Sequence, residues 1–118
     1  MVTYALPYSV IDILEYIDIA GRCPFGNWFA RLDVQAAAKI AVGLTRIANG
    51  NLSNVKTVGG DVMENRIDFG PGYRVYFGRD GERLIILLLG GSKQRQTNDI
   101  ETAKRHWADY KRRKHLKG

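Results

Sequence analysis

Cys23 is the only cysteine in this chain of 118 residues, so neither an intramolecular disulfide nor a cysteine-cluster zinc site can form. Its neighbours Arg22, Pro24 and Phe25 supply one cation, too little to mark it as a reactive thiol rather than an inert packing residue. Histidine is nearly as scarce. His106 and His115 are the only two, nine residues apart near the C-terminal end. On one continuous helix they would point to opposite sides, which removes a paired acid and base, a Ser-His-Asp arrangement and a histidine metal site. Each reads as a solvent-side residue, and no metal ligand set is expected. No phosphate-binding loop is present either, because Gly59-Gly60 and Gly90-Gly91 are not followed by Lys-Ser or Lys-Thr. The longest strongly apolar run, Leu84 to Leu89, is far too short to cross a bilayer. Residues 1–20 carry Asp12, Glu15 and Asp18 but no Lys or Arg, the reverse of a secretory leader's basic start. The expectation is a soluble cytoplasmic protein that does not engage a membrane.

What is present is ordinary for a globular chain, with 45% hydrophobic and 25% charged residues. The length suits one domain over residues 1–118, with one core. The net charge of +6 favours a polyanionic partner, but its position says more than its sum. From Met1 to Ala103 eleven basic residues face eleven acidic ones, whereas Lys104 to Gly118 holds seven basic residues and only Asp109. The excess therefore lies in residues 104–118, most of it in a basic C-terminal extension, residues 108–118, that includes Lys111, Arg112 and Arg113. It reads either as a solvated helix end, where cations complement the dipole, or as a phosphate-attracting arm.

The pattern predicts an α+β domain. Val10 to Ile19 fits a strand with Ile11, Ile13, Ile17 and Ile19 on one face, although an apolar helix also fits. A short helical stretch is expected over Asn27–Leu32. Asp33 then caps a longer helix whose stripe is Val34, Ala37, Ala41, Leu44 and Ala48, widened by Ile40 and Ile47 and stopped by Asn49-Gly50-Asn51. Four strands follow: Val55–Val58, Val62–Phe69, Tyr73–Arg79 and Arg83–Leu89. Asp80-Gly81 reads as a two-residue hairpin turn. Taking Gly70-Pro71-Gly72 as a three-residue loop pairs Phe69 with Tyr73, Ile67 with Val75, Arg66 with Tyr76 and Asp68 with Arg74. Leu84–Leu89, apolar on both sides, should be an interior strand, and Gly90-Gly91 should break the sheet. Asn98 and Glu101 form a candidate capping pair for a last helix with the stripe Ile100, Ala103, Trp107 and Tyr110.

This register gathers Glu64, Arg66, Asp68, Arg74 and Tyr76 on one strand face. Lys93 and Arg95 follow the interior strand, and Lys56 lies on the first strand of the group. Clustered cations of this kind stabilise charge developing on a phosphate, and Arg offers bidentate contacts to its oxygens. The same pattern is equally an exposed strand face with Asp68 pairing across to Arg74.

At these residues the chain resembles a known family. The stretches Val55-Lys56-Thr57-Val58-Gly59, Glu64-Asn65-Arg66-Ile67 and Phe69-Gly70-Pro71-Gly72-Tyr73-Arg74-Val75-Tyr76-Phe77 carry the likeness. Leu87 to Lys93 and Gln96 to Ala103 continue it. The sequence is similar to the RelE/ParE toxin superfamily, in its phage-type addiction module killer branch related to HigB, over roughly residues 13–107. The resemblance implies that superfamily's fold: an antiparallel-rich sheet with two N-terminal helices packed on one face and a C-terminal helix. It implies a toxin of a type II toxin–antitoxin pair, neutralised by a helix-turn-helix antitoxin. The implied activity is cofactor- and metal-free cleavage of messenger RNA on the ribosome, in which a ribose 2′-hydroxyl attacks its own phosphate. Relatives that poison gyrase instead, and members that only bind an antitoxin or nucleic acid, remain alternatives. By position, Arg74 matches the arginine held to stabilise the transition state, Arg66 a strand cation that contacts phosphate, and Lys93 a basic residue that holds it. Lys56, Tyr76 and Arg95 are the accompanying RNA-binding candidates, with Lys111, Arg112 and Arg113 in the basic extension. Arg66, Tyr76 and Lys93 share the candidacy for proton transfer. Glu64 stands where well-known ribonucleases of the superfamily have lysine, and Asn65 where relatives usually carry an apolar residue.

Overall fold

A computed structural model describes residues 11–117. The elements are β1 (Asp12–Glu15), α1 (Pro24–Ala30), α2 (Val34–Ala48), β2 (Val55–Gly59), β3 (Val62–Ile67), β4 (Tyr73–Arg79), β5 (Leu84–Ser92), a 3-10 turn (Lys93–Arg95) and α3 (Gln96–Lys117). The chain is α+β, with one five-stranded sheet in the order β1-β5-β4-β3-β2. The sheet is mixed: β1 runs parallel to β5, and the other three pairings are antiparallel. β5 is interior, as its two-sided apolar run requires.

Side-chain alternation divides the core between the two faces. Phe25 of α1 and Ile40 and Ile47 of α2 bury one face, against Ile67, Val75, Phe77, Ile85 and Leu87. Ala103 and Trp107 of α3 bury the other, against Val62, Tyr76, Ile86 and Leu88. Asp33 caps α2 as expected, its carboxylate accepting from the Ala36 N–H at 2.8 Å. The stripe expected on α3 is also the one that packs.

Several expectations are corrected. Within Val10–Ile19 only Asp12–Glu15 is strand; Val10 lies outside the described residues. Ile17 and Ile19 are exposed rather than on a buried face, because the chain turns at Asp18, whose side chain accepts from the N–H groups of Ala20 and Arg22. The first helix starts at Pro24, a residue suited to a first helical turn, and ends at Ala30. Gly90-Gly91 does not break the sheet: β5 runs through both to Ser92. These glycines take no side chain because Trp28 of α1 occupies the space a Cβ would need at Gly90, and Asp99 of α3 the space at Gly91. α3 follows the 3-10 turn directly and starts at Gln96, so Asn98 and Glu101 lie inside it rather than at its cap.

The hairpins are longer than expected. The β3–β4 connection spans Asp68–Gly72, pairing Ile67 with Tyr73, Arg66 with Arg74, Asn65 with Val75 and Glu64 with Tyr76. Gly70 and Gly72 both have positive φ (56° and 82°), which lets Gly72 N–H return to Phe69 C=O. This is a shift of two positions from the expected register, so every residue keeps its face. Asp80-Gly81 is likewise part of a longer connection, Asp80–Arg83, because Asp80 is drawn toward α3 by Tyr110 and Lys114.

Candidate functional site

The predicted polar strand face exists, but only Arg66 at its end is open to solvent, while Glu64, Arg74 and Tyr76 are buried. β3 and β4 alternate so that Glu64, Arg66, Arg74 and Tyr76 share the face that α3 covers. Glu64 is 2% exposed and Tyr76 is fully buried, while the Arg74 side chain retains 8%. The expected pairing of Asp68 with Arg74 is absent. Asp68 instead lies 3.3 Å from Arg66 Nε, beyond the strand end, because the longer loop carries it past Arg74.

Glu64 is the centre of the cluster. Its Oε1 lies 3.7 Å from Arg74 Nε and 3.7 Å from Lys56 Nζ on β2. Its Oε2 accepts a 2.7 Å hydrogen bond from Gln96 Nε2, the first residue of α3. Arg74 donates from Nη1 to the Tyr73 carbonyl at 3.1 Å, but its buried Nε has no hydrogen-bond partner. The Tyr76 hydroxyl is also unpartnered, and burial, reinforced by the charges of Glu64 and Asp99, drives its pKa well above the usual phenol range. It stays protonated at any physiological pH and is a poor proton acceptor.

The start of α3 closes the cluster. Asp99 is 5% exposed with Oδ2 unpartnered, and burial raises its pKa against the lowering influence of Arg95, 3.6 Å away. Lys93 opens the 3-10 turn, with its N–H donating to Gly72 C=O at 2.7 Å. A Cβ placed on Gly72 would lie 3.5 Å from Lys93 Cβ and 3.7 Å from Arg74 Nη1, so this glycine sits between the two cations. The side chain of Lys93 is exposed and makes no ion pair to a described residue.

Of the residues predicted from the sequence, Lys56, Arg66, Arg74, Tyr76, Lys93 and Arg95 thus gather around β3, β4 and the start of α3. Lys111, Arg112 and Arg113 do not. Lys111 lies twelve residues after Asp99 on the same helix, a rise of about 18 Å. Residues 108–117 continue α3, and Lys111, Arg112 and Arg113 are engaged by neighbouring groups there. Lys111 Nζ lies 3.5 Å from Asp61, Arg112 and Arg113 contact Asp109, and Arg113 also lies over the Tyr16 ring. Glu64 was visible on the polar face, but Gln96 and Asp99 were missed as site residues. The one sequence signal for Asp99 is its position four residues after Arg95, where a helix brings the pair together. Among the described residues no group of three or more His, Cys, Asp or Glu is placed to hold a metal ion, and no helix is long and apolar enough to cross a membrane.

Residues 27–113 match a protein family described as phage derived protein, Gp49-like. The match takes in all of α2, the strands β2–β5 and most of α3, and with them every residue of the cluster. The chain is 40% identical over 89 residues to an uncharacterized protein of Haemophilus influenzae, covering 75% of this chain and 90% of that protein. The residues that gather around Glu64 and Arg74 therefore lie within a shared domain, and the chain belongs to the phage-derived Gp49-like family.

Proposed function

We propose that the protein is the toxin of a type II toxin–antitoxin pair with a RelE/ParE-like fold, and that its cluster cleaves messenger RNA on the ribosome without a metal. The observation that carries this reading is the direct pairing of Arg66 with Arg74 across β3 and β4, with Lys93 set beside Arg74 across Gly72. In the reaction the ribose 2′-oxygen forms a bond to the adjacent phosphorus and the bond to the 5′-oxygen breaks. This leaves a 2′,3′-cyclic phosphate and a 5′-hydroxyl end. Arg74 and Arg66 balance the charge that builds on the phosphate oxygens, where fixed cations are most effective. Tyr76 is fully buried and too firmly protonated either to accept a proton or to give one up, and an arginine does not lose one. Lys93 is left as the donor to the departing 5′-oxygen, while the 2′-hydroxyl proton leaves to water. Lys56 and Arg95 flank the path of the strand, and Lys111–Arg113 add longer-range attraction. A phosphate reaches Arg74 only when the start of α3 yields, since Gln96 and Glu64 now occupy that side of the guanidinium.

The same burial favours a second reading, in which the chain binds an antitoxin or nucleic acid without cleaving. Incubation with translating ribosomes and mapping of message 5′ ends separates the two. Cleavage that Lys93→Ala, an exposed substitution, reduces by about 100-fold supports the enzyme. An intact message under wild-type protein refutes it, and loss of gyrase supercoiling in parallel identifies the gyrase-poisoning alternative.

A further inference from the structure

On the face of the sheet opposite Arg74, a cavity of about 330 Å3 opens between α2, the segment leading into β2 and the end of β3. That volume suits a small organic ligand. Its floor is Asn65, a polar residue whose strand neighbours on the same face, Met63 and Ile67, are apolar. Asn65 is 5% exposed, and its side-chain amide makes no hydrogen bond to a described residue. Room for it comes from Gly43 of α2: a Cβ there would lie 3.4 Å from Asn65 Nδ2 and 3.3 Å from Ile67 Cγ1. The amide is not sealed in the core: it lines the open cavity, where it can donate to and accept from a ligand.

The rim points to the ligand's charge. Lys39 and Arg46, seven residues apart on α2 and so about 10 Å apart along one helix face, line the cavity and pair with no carboxylate among the described residues. The one acidic residue in the wall, Asp68, is already paired with Arg66 at 3.3 Å. Phe69 adds an aromatic ring, with Lys39 Nζ 5.5 Å from its centroid, and Asn54 a second amide.

An amide able to donate and accept at the cavity floor, an aromatic wall and two cations at the mouth without carboxylate partners match one chemical class. We propose that this cavity binds a nucleoside monophosphate unit, with the base edge on Asn65 and the phosphate on Lys39 and Arg46. The unit is either a free nucleotide or one residue of an RNA strand. The site shares the exposed Arg66 with the Arg74 cluster but contains neither Arg74 nor Lys93, and it does not depend on their being catalytic.

Calorimetric titration with AMP, CMP, GMP and UMP, inorganic phosphate and a trinucleotide 2′-O-methylated against cleavage tests this. At least one monophosphate is expected to bind with Kd below about 1 mM and at least about tenfold tighter than inorganic phosphate. Asn65→Leu should weaken the nucleotide by about tenfold or more while leaving inorganic phosphate unchanged. Arg46→Ala, an exposed change that threatens no core contact, should weaken both. A trinucleotide about tenfold tighter than the monophosphate assigns the unit to RNA, and equal affinity assigns it to a free nucleotide. Lys93→Ala should leave this binding intact, so loss of cleavage and loss of nucleotide binding are separable. The proposal is overturned if no monophosphate or trinucleotide binds at about 10 mM, or if Arg46→Ala and a folded Asn65→Leu both bind as wild type.

Discussion

Replacing Glu64 by glutamine keeps the side chain's shape and removes its charge, which makes it a direct probe of how the cation cluster is held. Lys56, with 66% of its side chain exposed, has water to fall back on and contributes little. Arg74 does not, because its side chain is 8% exposed and Glu64 is the one described carboxylate paired with it. At 3.7 Å and an effective dielectric of about 20, the Coulomb attraction is about 4–5 kcal/mol. Part of this only offsets the desolvation of Arg74, whose Nε lacks a hydrogen bond. Removing one partner of a buried pair costs about 3–5 kcal/mol, and the absence of a direct hydrogen bond puts this pair at the lower end, about 3 kcal/mol. For a chain of this size the melting temperature should fall by about 10–15 °C. Arg74→Gln should cost a similar amount, and the double variant about 2 kcal/mol less than the sum of the two. Urea denaturation of the wild type and the three variants measures all four corners of the cycle. A coupling below about 0.5 kcal/mol would refute the reasoning, because it would mean that Arg74 is solvated and α3 does not close over it.

Three further outcomes follow from other parts of the molecule. His106 stacks on Tyr16 at 4.8 Å, and burial, helped by Arg105, lowers its pKa below 6.5. The unfolded chain therefore takes up this proton first: the stabilisation is present above pH 6.5 and is lost as pH falls through the lowered value, a loss His106→Gln should remove from urea midpoints at pH 7 and 5. Gly90→Ala should cost about 2–3 kcal/mol, because its methyl group meets the Trp28 ring; an unchanged midpoint and unchanged tryptophan emission would contradict that packing. Asp80→Asn takes the charge from the acceptor of Tyr110 and Lys114 and should cost about 1 kcal/mol, with the difference shrinking in about 1 M salt; a salt-independent loss would assign the effect to packing instead.

The architecture was legible where burial leaves an unambiguous period, but on α2 the buried face is Ala36, Ile40, Gly43 and Ile47 rather than the expected stripe through Val34 and Ala41, which are exposed. Ile100, Ala103, Trp107 and Tyr110 mark the packed side of α3, and Leu84–Leu89 marks an interior strand, because each pattern has one physical reading. Loops and ends were less legible. Whether Gly90-Gly91 stops a strand or lets Trp28 and Asp99 approach it depends on partners distant in the chain, which a local pattern does not contain. The site was half legible for the same reason. Alternation placed Arg66 and Arg74 together, yet the burial of Arg74 is decided by α3, whose first residue, Gln96, hydrogen-bonds Glu64 across 32 positions.

The two-residue error in the hairpin register shows what the functional reading depends on. Pairing Ile67 with Tyr73 instead of Phe69 with Tyr73 moves the partners and preserves the faces, because side chains alternate with a period of two. A slip of one residue would not be neutral. It would turn Asn65 toward α3, in place of Glu64, and Glu64 toward α2, leaving Arg74 buried without a counter-charge and a carboxylate between Lys39 and Arg46. β3 thus carries two unlike polar environments on consecutive residues, Glu64 beneath the start of α3 and Asn65 beneath Gly43 of α2. Its register, held by the Asp68–Gly72 connection, controls both at once. A change of loop length by one residue between Asp68 and Gly72 should therefore disturb cleavage and nucleotide binding together. Lys93→Ala and Asn65→Leu should each disturb only one.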